Sequence, residues 1–148
     1  MCSSDLNSTT LRSTVKTAGS SAGGGSSPTG GSGGTKLHTI NGTAHADKIT
    51  GTAAPERINA GAGNDLVNAG GGNDVVNGGP GNDVLNGGTG NDTITGGPGV
   101  DRMNGGAGND TINARDRLHD TVTCGSGRDT VKADRADRVA RDCEHVSR

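Results

Sequence analysis

Six aspartates recur at a constant interval of nine residues: Asp65, Asp74, Asp83, Asp92, Asp101 and Asp110. Carboxylates are hard oxygen donors, and each is set among glycines, where backbone carbonyls are close at hand. The units that carry them read AGAGNDLVN, AGGGNDVVN, GGPGNDVLN, GGTGNDTIT, GGPGVDRMN and GGAGNDTIN, and they fill residues 60–113 without a gap. Each has glycine at its second and fourth places: Gly61 and Gly63, Gly70 and Gly72, Gly79 and Gly81, Gly88 and Gly90, Gly97 and Gly99, Gly106 and Gly108. An aliphatic residue holds the eighth place: Val67, Val76, Leu85, Ile94, Met103 and Ile112. Agreement in phase at four places of six copies marks a repeat architecture. Oxygen cages of this kind suit calcium, which takes six to eight oxygens at about 2.3–2.6 Å, better than magnesium, which demands stricter octahedral geometry. Zinc would draw on Cys or His, and the units contain neither.

Placing such donors requires a particular backbone. Glycines at alternate places permit positive φ and close approach, so the first six residues of a unit are expected to turn. The last three, with their single inward aliphatic, are expected to form a minimal strand. Two units then close one coil. Asp65, Asp83 and Asp101 stack on one edge, and Asp74, Asp92 and Asp110 on the other. Neighbouring coils lie roughly 4.8 Å apart, the spacing of hydrogen-bonded strands. On this arrangement Asp83 has two neighbours in its row and Asp110 only Asp92, so Asp83 is expected to matter more to cation binding. One aliphatic side chain per nine ordered residues is a thin core, and carboxylate rows repel unless neutralised, so an external term is needed.

These units resemble the glycine-rich nonapeptide of the RTX, or haemolysin-type, calcium-binding proteins. The resemblance implies an all-β fold, a right-handed parallel β-roll, a solenoid of nonapeptide repeats. It implies several calcium ions, each held between turns two repeats apart by the Asp side chains and by backbone carbonyls of the glycines named above. The strong match covers 60–113, and weaker copies extend it from residue 42 to about 132. Ala60 and Ala69 replace the first glycine of their units and Val100 the usual Asn. Backbone carbonyls survive all three changes.

Composition narrows the class further. The chain has 148 residues, 29 of them glycine, and no Phe, Trp or Tyr, which excludes an ordinary globular core. Its net charge of −2 hides a segregation. Residues 60–113 hold six acids and one base, Arg102, whereas 114–148 hold eight bases and seven acids. Acidic repeats fit cation binding and argue against a nucleic-acid partner. No stretch approaches the length of a membrane-spanning helix. No Ser/His/Asp set, zinc-protease helix or phosphate-binding loop is present, so no enzyme is expected in these residues.

Along the chain, 1–36 is expected to be a disordered Ser/Gly-rich linker. Its first six residues, MCSSDL, match a translated sequencing-adaptor end and are set aside, Cys2 with them. The calcium-binding roll is expected over 37–132. Its first units are atypical, as terminal repeats are. Asp47 stands eighteen residues before Asp65 and is a further candidate ligand, while Glu56 holds the Asp place of the next unit. His38 and His45 are expected to face solvent. Beyond residue 113 the phase slips, with DTV triplets at Asp120 and Asp129 and DRV at Asp137. Residues 133–148 are expected to cap the roll, with charge-paired edges. The Asp-x-Val and Asp-Cys-Glu endings resemble those of secreted actinobacterial calcium-binding repeat proteins. Cys124 and Cys143 lie nineteen residues apart, close to one coil of eighteen, which suits a disulfide. A zinc site with His119 and His145, or two free thiols, are the alternatives.

The expected function is calcium binding with calcium-induced folding of a secreted, extracellular bacterial protein. Two other settings remain open. The roll could be the secretion and folding module of a larger protease or lipase, or a rigid spacer of a surface adhesin.

Overall fold

A computed structural model describes residues 14–17 and 37–148. Expectations for the rest of 1–36, the reading of residues 1–6 included, lie outside the described residues. Among the described residues there are fourteen strands. They are β1 (Thr14–Thr17), β2 (His38–Thr43), β3 (Asp47–Thr50), β4 (Glu56–Gly61), β5 (Leu66–Gly71), β6 (Val75–Asn77) and β7 (Val84–Thr89), then β8 (Thr93–Thr95), β9 (Arg102–Ala107), β10 (Thr111–Asn113), β11 (Thr121–Ser126), β12 (Thr130–Lys132), β13 (Arg138–Val139) and β14 (His145–Ser147).

Odd-numbered strands make one seven-stranded sheet, in the order β1-β3-β5-β7-β9-β11-β13, and even-numbered strands make the other. All pairings within them are parallel. The chain therefore alternates between two sheets as it winds through about six turns of a parallel β-roll. Register follows the nonapeptide phase: Leu66 pairs with Val84 and Val84 with Arg102, each step being two units. β1 adds to β3 from within the segment expected to be linker.

The core lies between the sheets. Ile49, Ile58, Val67, Val76, Leu85, Ile94, Met103, Ile112, Val122 and Val131 stack there in two columns, each at most 2% exposed. The period-two alternation of a strand carries two further places of each unit inward. One is the first place, where Ala60, Ala69, Ala114, Cys124 and Ala133 are buried. The other is the sixth, which holds the aspartates. The core is thus less thin than one aliphatic per unit. Strands also run further into the glycines than expected, since β5, β7 and β9 are six residues long.

The phase slip after residue 113 is absorbed outside the sheets. Arg117 takes a positive φ of 77°, the one non-glycine residue to do so among those described. Its N–H and that of Asp116 both donate to Asp134 Oδ2, at 2.6 and 2.9 Å. Carboxylates on backbone N–H groups help to hold these last turns. Cys124 and Cys143 form a disulfide with a Cα–Cα distance of 5.2 Å.

Two leucines one coil apart separate core from surface. Leu85 is 1% exposed and Leu66 44%. Leu85→Ala should cost about 2–5 kcal/mol, and Leu66→Ala about 0.5 kcal/mol or less. Denaturant titration of both variants in saturating calcium checks this. Equal losses would mean that the inward column is not the core.

Candidate metal centre

Each aspartate sits at the entry to a strand and points inward, because the strand's alternation places the sixth and eighth residues of a unit on one face. Its two oxygens then have separate fates. Oδ1 accepts a backbone N–H from the acidic residue one coil earlier. Along one edge Asp47, Asp65 and Asp83 donate to Asp65, Asp83 and Asp101, at 2.8, 2.8 and 2.9 Å. Asp101 and Asp120 continue the row, donating to Asp120 and Asp137 at 2.8 and 3.1 Å. Along the other edge Glu56, Asp74, Asp92 and Asp110 donate to Asp74, Asp92, Asp110 and Asp129, each at 2.8 Å. Asp129 donates in turn to Glu144 Oε2 at 2.8 Å.

Oδ2 has no such partner. In Asp65, Asp74, Asp83, Asp92, Asp101, Asp110, Asp120 and Asp129 this atom is buried and without a hydrogen bond. Burying an ionised oxygen unpaired is costly, so the group must take a proton or a cation. Burial is the first cause that raises Asp65, Asp74, Asp83, Asp92, Asp101, Asp110 and Asp120 above the ordinary carboxylate value, partly opposed by the N–H bond on Oδ1 and reinforced by like charge in the row. Asp101 is raised to about 7, and Asp83, Asp110 and Asp120 to about 6.

Glycine completes the cradle. All twelve glycines at the second and fourth places of the six units have φ between 100° and 157°. A Cβ at Gly79 would overlap the carbonyl oxygen of Gly61, and one at Gly81 that of Gly63. At the first place, a Cβ on Gly78 or Gly96 would overlap Oδ2 of Asp83 or Asp101. The orphaned oxygen therefore lies against bare backbone. Among the described residues no three acidic, His or Cys side chains converge on one point. A cation at these turns would be held by single carboxylates together with backbone carbonyls. This donor set is all oxygen, and it fits a calcium ion.

The expected ligands are therefore arranged in the two rows anticipated, with one difference at the far end. Asp129 gives Asp110 a second neighbour, so the expected contrast with Asp83 loses its basis. Asp120 and Asp129 were absent from the expected ligand set, although their DTV triplets keep the Asp-x-aliphatic spacing of the units. Asp47 is in the row, and its Oδ2 is bonded to the N–H of Thr43 at 2.5 Å and to the Thr43 hydroxyl at 2.8 Å. His38, His45 and His145 are exposed, and His119 rests its Nδ1 on the Ala136 carbonyl at 3.2 Å. With the sulfurs of Cys124 and Cys143 joined, no thiolate is left for zinc beside them.

Fold and site together define a parallel β-solenoid built for repeated cation sites on its edges. The family model for the RTX calcium-binding nonapeptide repeat matches residues 50–85 and 77–112, so this stretch of the roll carries RTX calcium-binding repeats. No curated protein and no solved structure gives a significant match to the chain.

The raised carboxylates make the metal-free fold sensitive to pH. Their folded pKa values exceed the unfolded one, so the folded chain binds more protons. That contribution to stability is full below about pH 4. It is lost as pH rises through the values of about 6 to 7. In metal-free buffer, β-structure followed by circular dichroism should therefore increase on acidification from pH 8 to pH 5. Loss of structure over that interval would show that protons do not stand in for cations on Oδ2.

Proposed function

We propose that this chain binds several calcium ions along both edges of the roll and folds as it binds them. The observation that carries this reading is the set of buried aspartate oxygens left without partners. Asp65, Asp83 and Asp101 would serve one edge, and Asp74, Asp92 and Asp110 the other. Carbonyl oxygens of the glycines at the second and fourth places would complete each cage. Calcium supplies the positive charge that these oxygens lack. The ligands of one cage come from different coils and meet only in the folded chain, so binding energy becomes folding energy.

The setting we propose is extracellular. Proteins with RTX repeats are typically secreted. The Cys124–Cys143 disulfide supports an oxidising compartment. Free calcium is low inside cells and high outside, so a chain of this kind would pass the membrane unfolded and order itself afterwards. RTX repeats form a structural calcium-binding domain rather than an enzyme family, and we assign the roll no catalysis. As part of a longer protein it would act as a folding and secretion module for an enzyme, or as a rigid spacer of an adhesin.

Circular dichroism and small-angle scattering test the coupling. The chain should be unstructured in chelator and β-structured and compact in millimolar calcium, with a Hill slope above one. Magnesium should substitute poorly. A chain already compact and β-structured in chelator at neutral pH would overturn the calcium-driven account.

A further inference from the structure

The family match and the unsatisfied oxygens do not cover the same stretch. The match runs over 50–112. The orphaned oxygens run from Asp65 to Asp129, four on each edge. Both mismatched ends have a structural cause.

At the N-terminal end the second place of the unit is threonine. Thr43 gives both its N–H and its hydroxyl to Asp47 Oδ2, at 2.5 and 2.8 Å. Thr52 does the same for Glu56, with its N–H on Oε2 at 3.0 Å and its hydroxyl on Oε1. Where glycine holds that place, the N–H turns to the backbone of the next coil instead. Gly79 donates to the Gly96 carbonyl at 2.9 Å, and Asp83 Oδ2 is left bare. Two threonine donors thus do for Asp47 and Glu56 what a cation must do further on.

At the other end, Asp129 lies in the unit CGSGRDTVK, which keeps glycine at its second and fourth places despite Cys124 at the first. Gly125 and Gly127 take positive φ of 97° and 141°, as in the matched units. Asp120 closes a longer unit with no glycine, yet its Oδ2 is equally buried and unpartnered. The next carboxylate in its row, Asp137, has both oxygens occupied, by the N–H groups of Asp120 at 3.1 Å and Asp134 at 2.6 Å. Oxygens satisfied by the chain itself close this row at both ends.

We infer that Asp120 and Asp129 are calcium ligands beyond the matched repeats, and that Asp47 and Glu56 are not ligands but are clasped by Thr43 and Thr52. The cation array is displaced toward the C-terminus by about one coil. This rests on the calcium-binding reading above and adds to it which coils carry ions.

Calcium bound per chain at saturation, counted by equilibrium dialysis and native mass spectrometry, tests the displacement. Asp120→Asn and Asp129→Asn should each lower the count by one. Both keep an oxygen that can accept the N–H of the preceding coil. Asp47→Asn and Glu56→Gln should leave the count unchanged. Equal losses in all four variants, or losses only at Asp47 and Glu56, would overturn the inference while leaving calcium binding intact. An unmodified chain that binds no calcium would overturn the calcium-binding reading itself. Should a variant fail to fold, anomalous difference maps from crystals of the unmodified chain grown in calcium decide the matter. Peaks should lie beside Asp120 and Asp129, and none should lie beside Asp47 or Glu56 between the carboxylate and its threonine. The reverse pattern would overturn the inference.

Discussion

Each buried aspartate is fixed in place by its own backbone ladder, and the charge follows. An N–H from the preceding coil needs an acceptor at the strand entry, and Oδ1 supplies it, as Asp83 does for Asp65 at 2.8 Å. The same bond brings like charges to neighbouring levels. At a separation near 5 Å and an effective dielectric of 20, two carboxylates repel by on the order of 3 kcal/mol. Every added coil renews that cost. Positive charge or protons in the rows would offset that cost, and the unpartnered second oxygen of each aspartate is where either would go. Glycine around the carboxylate is the geometric counterpart: side chains there would fill the space beside Oδ2.

Neutral side chains form ladders where charge is not needed. Asparagine at the fifth place makes a similar side-chain-to-backbone bond one residue earlier, on the exposed side of the turn, but in the opposite sense along the stack, accepting from the following coil. Asn64 Oδ1 accepts from Asn82 N–H at 2.9 Å, and Asn82 Oδ1 from Val100 N–H at 2.8 Å. Val100 can donate but offers no side-chain oxygen to the next coil. There the N–H of Gly99 bonds Asp116 Oδ2 at 2.9 Å. On the outer face of the first sheet, Asn104 donates to Asn86 and Asn86 to Asn68, at 2.9 and 3.0 Å. These amides carry donor and acceptor together, so they stack without repulsion and without any requirement for an ion.

Much of this was legible in the sequence because a single period governs it. The eighteen-residue step sets sheet membership, register and the two aspartate rows, and each is found where the phase of Asp65 to Asp110 places it. Three features were hidden for physical reasons. The inward direction of the first and sixth places depends on strand alternation reaching past three residues into glycine, a residue with no strand signature of its own. Asp120 was obscured by an insertion, since the steps from Asp101 to Asp120 and from Asp110 to Asp129 are nineteen residues. The surplus residue loops out around Arg117 without disturbing the rows. The roles of Thr43 and Thr52 depend on which way an N–H turns, and only coordinates reveal that.

The C-terminal coils show what replaces glycine when the repeat runs out. Aspartate side chains there accept backbone N–H groups, from positive-φ residues such as Arg117 and Gly125 as well as from others. Asp134 receives two such bonds, Asp116 receives those of Gly99 and Leu118, and Asp142 that of Gly125. These carboxylates are more exposed than the rows, so water screens their charge and they need no ion. The high acid content of residues 114–148 therefore reflects two kinds of aspartate with different demands. Asp120 and Asp129 continue the buried rows, while Asp116, Asp134 and Asp142 cap the backbone. The Cys124–Cys143 disulfide ties β11, at the head of the unit that carries Asp129, to the final turn beyond the glycine repeats. A covalent link thus adds a restraint to the final turn, beside the pairing of β14 with β12.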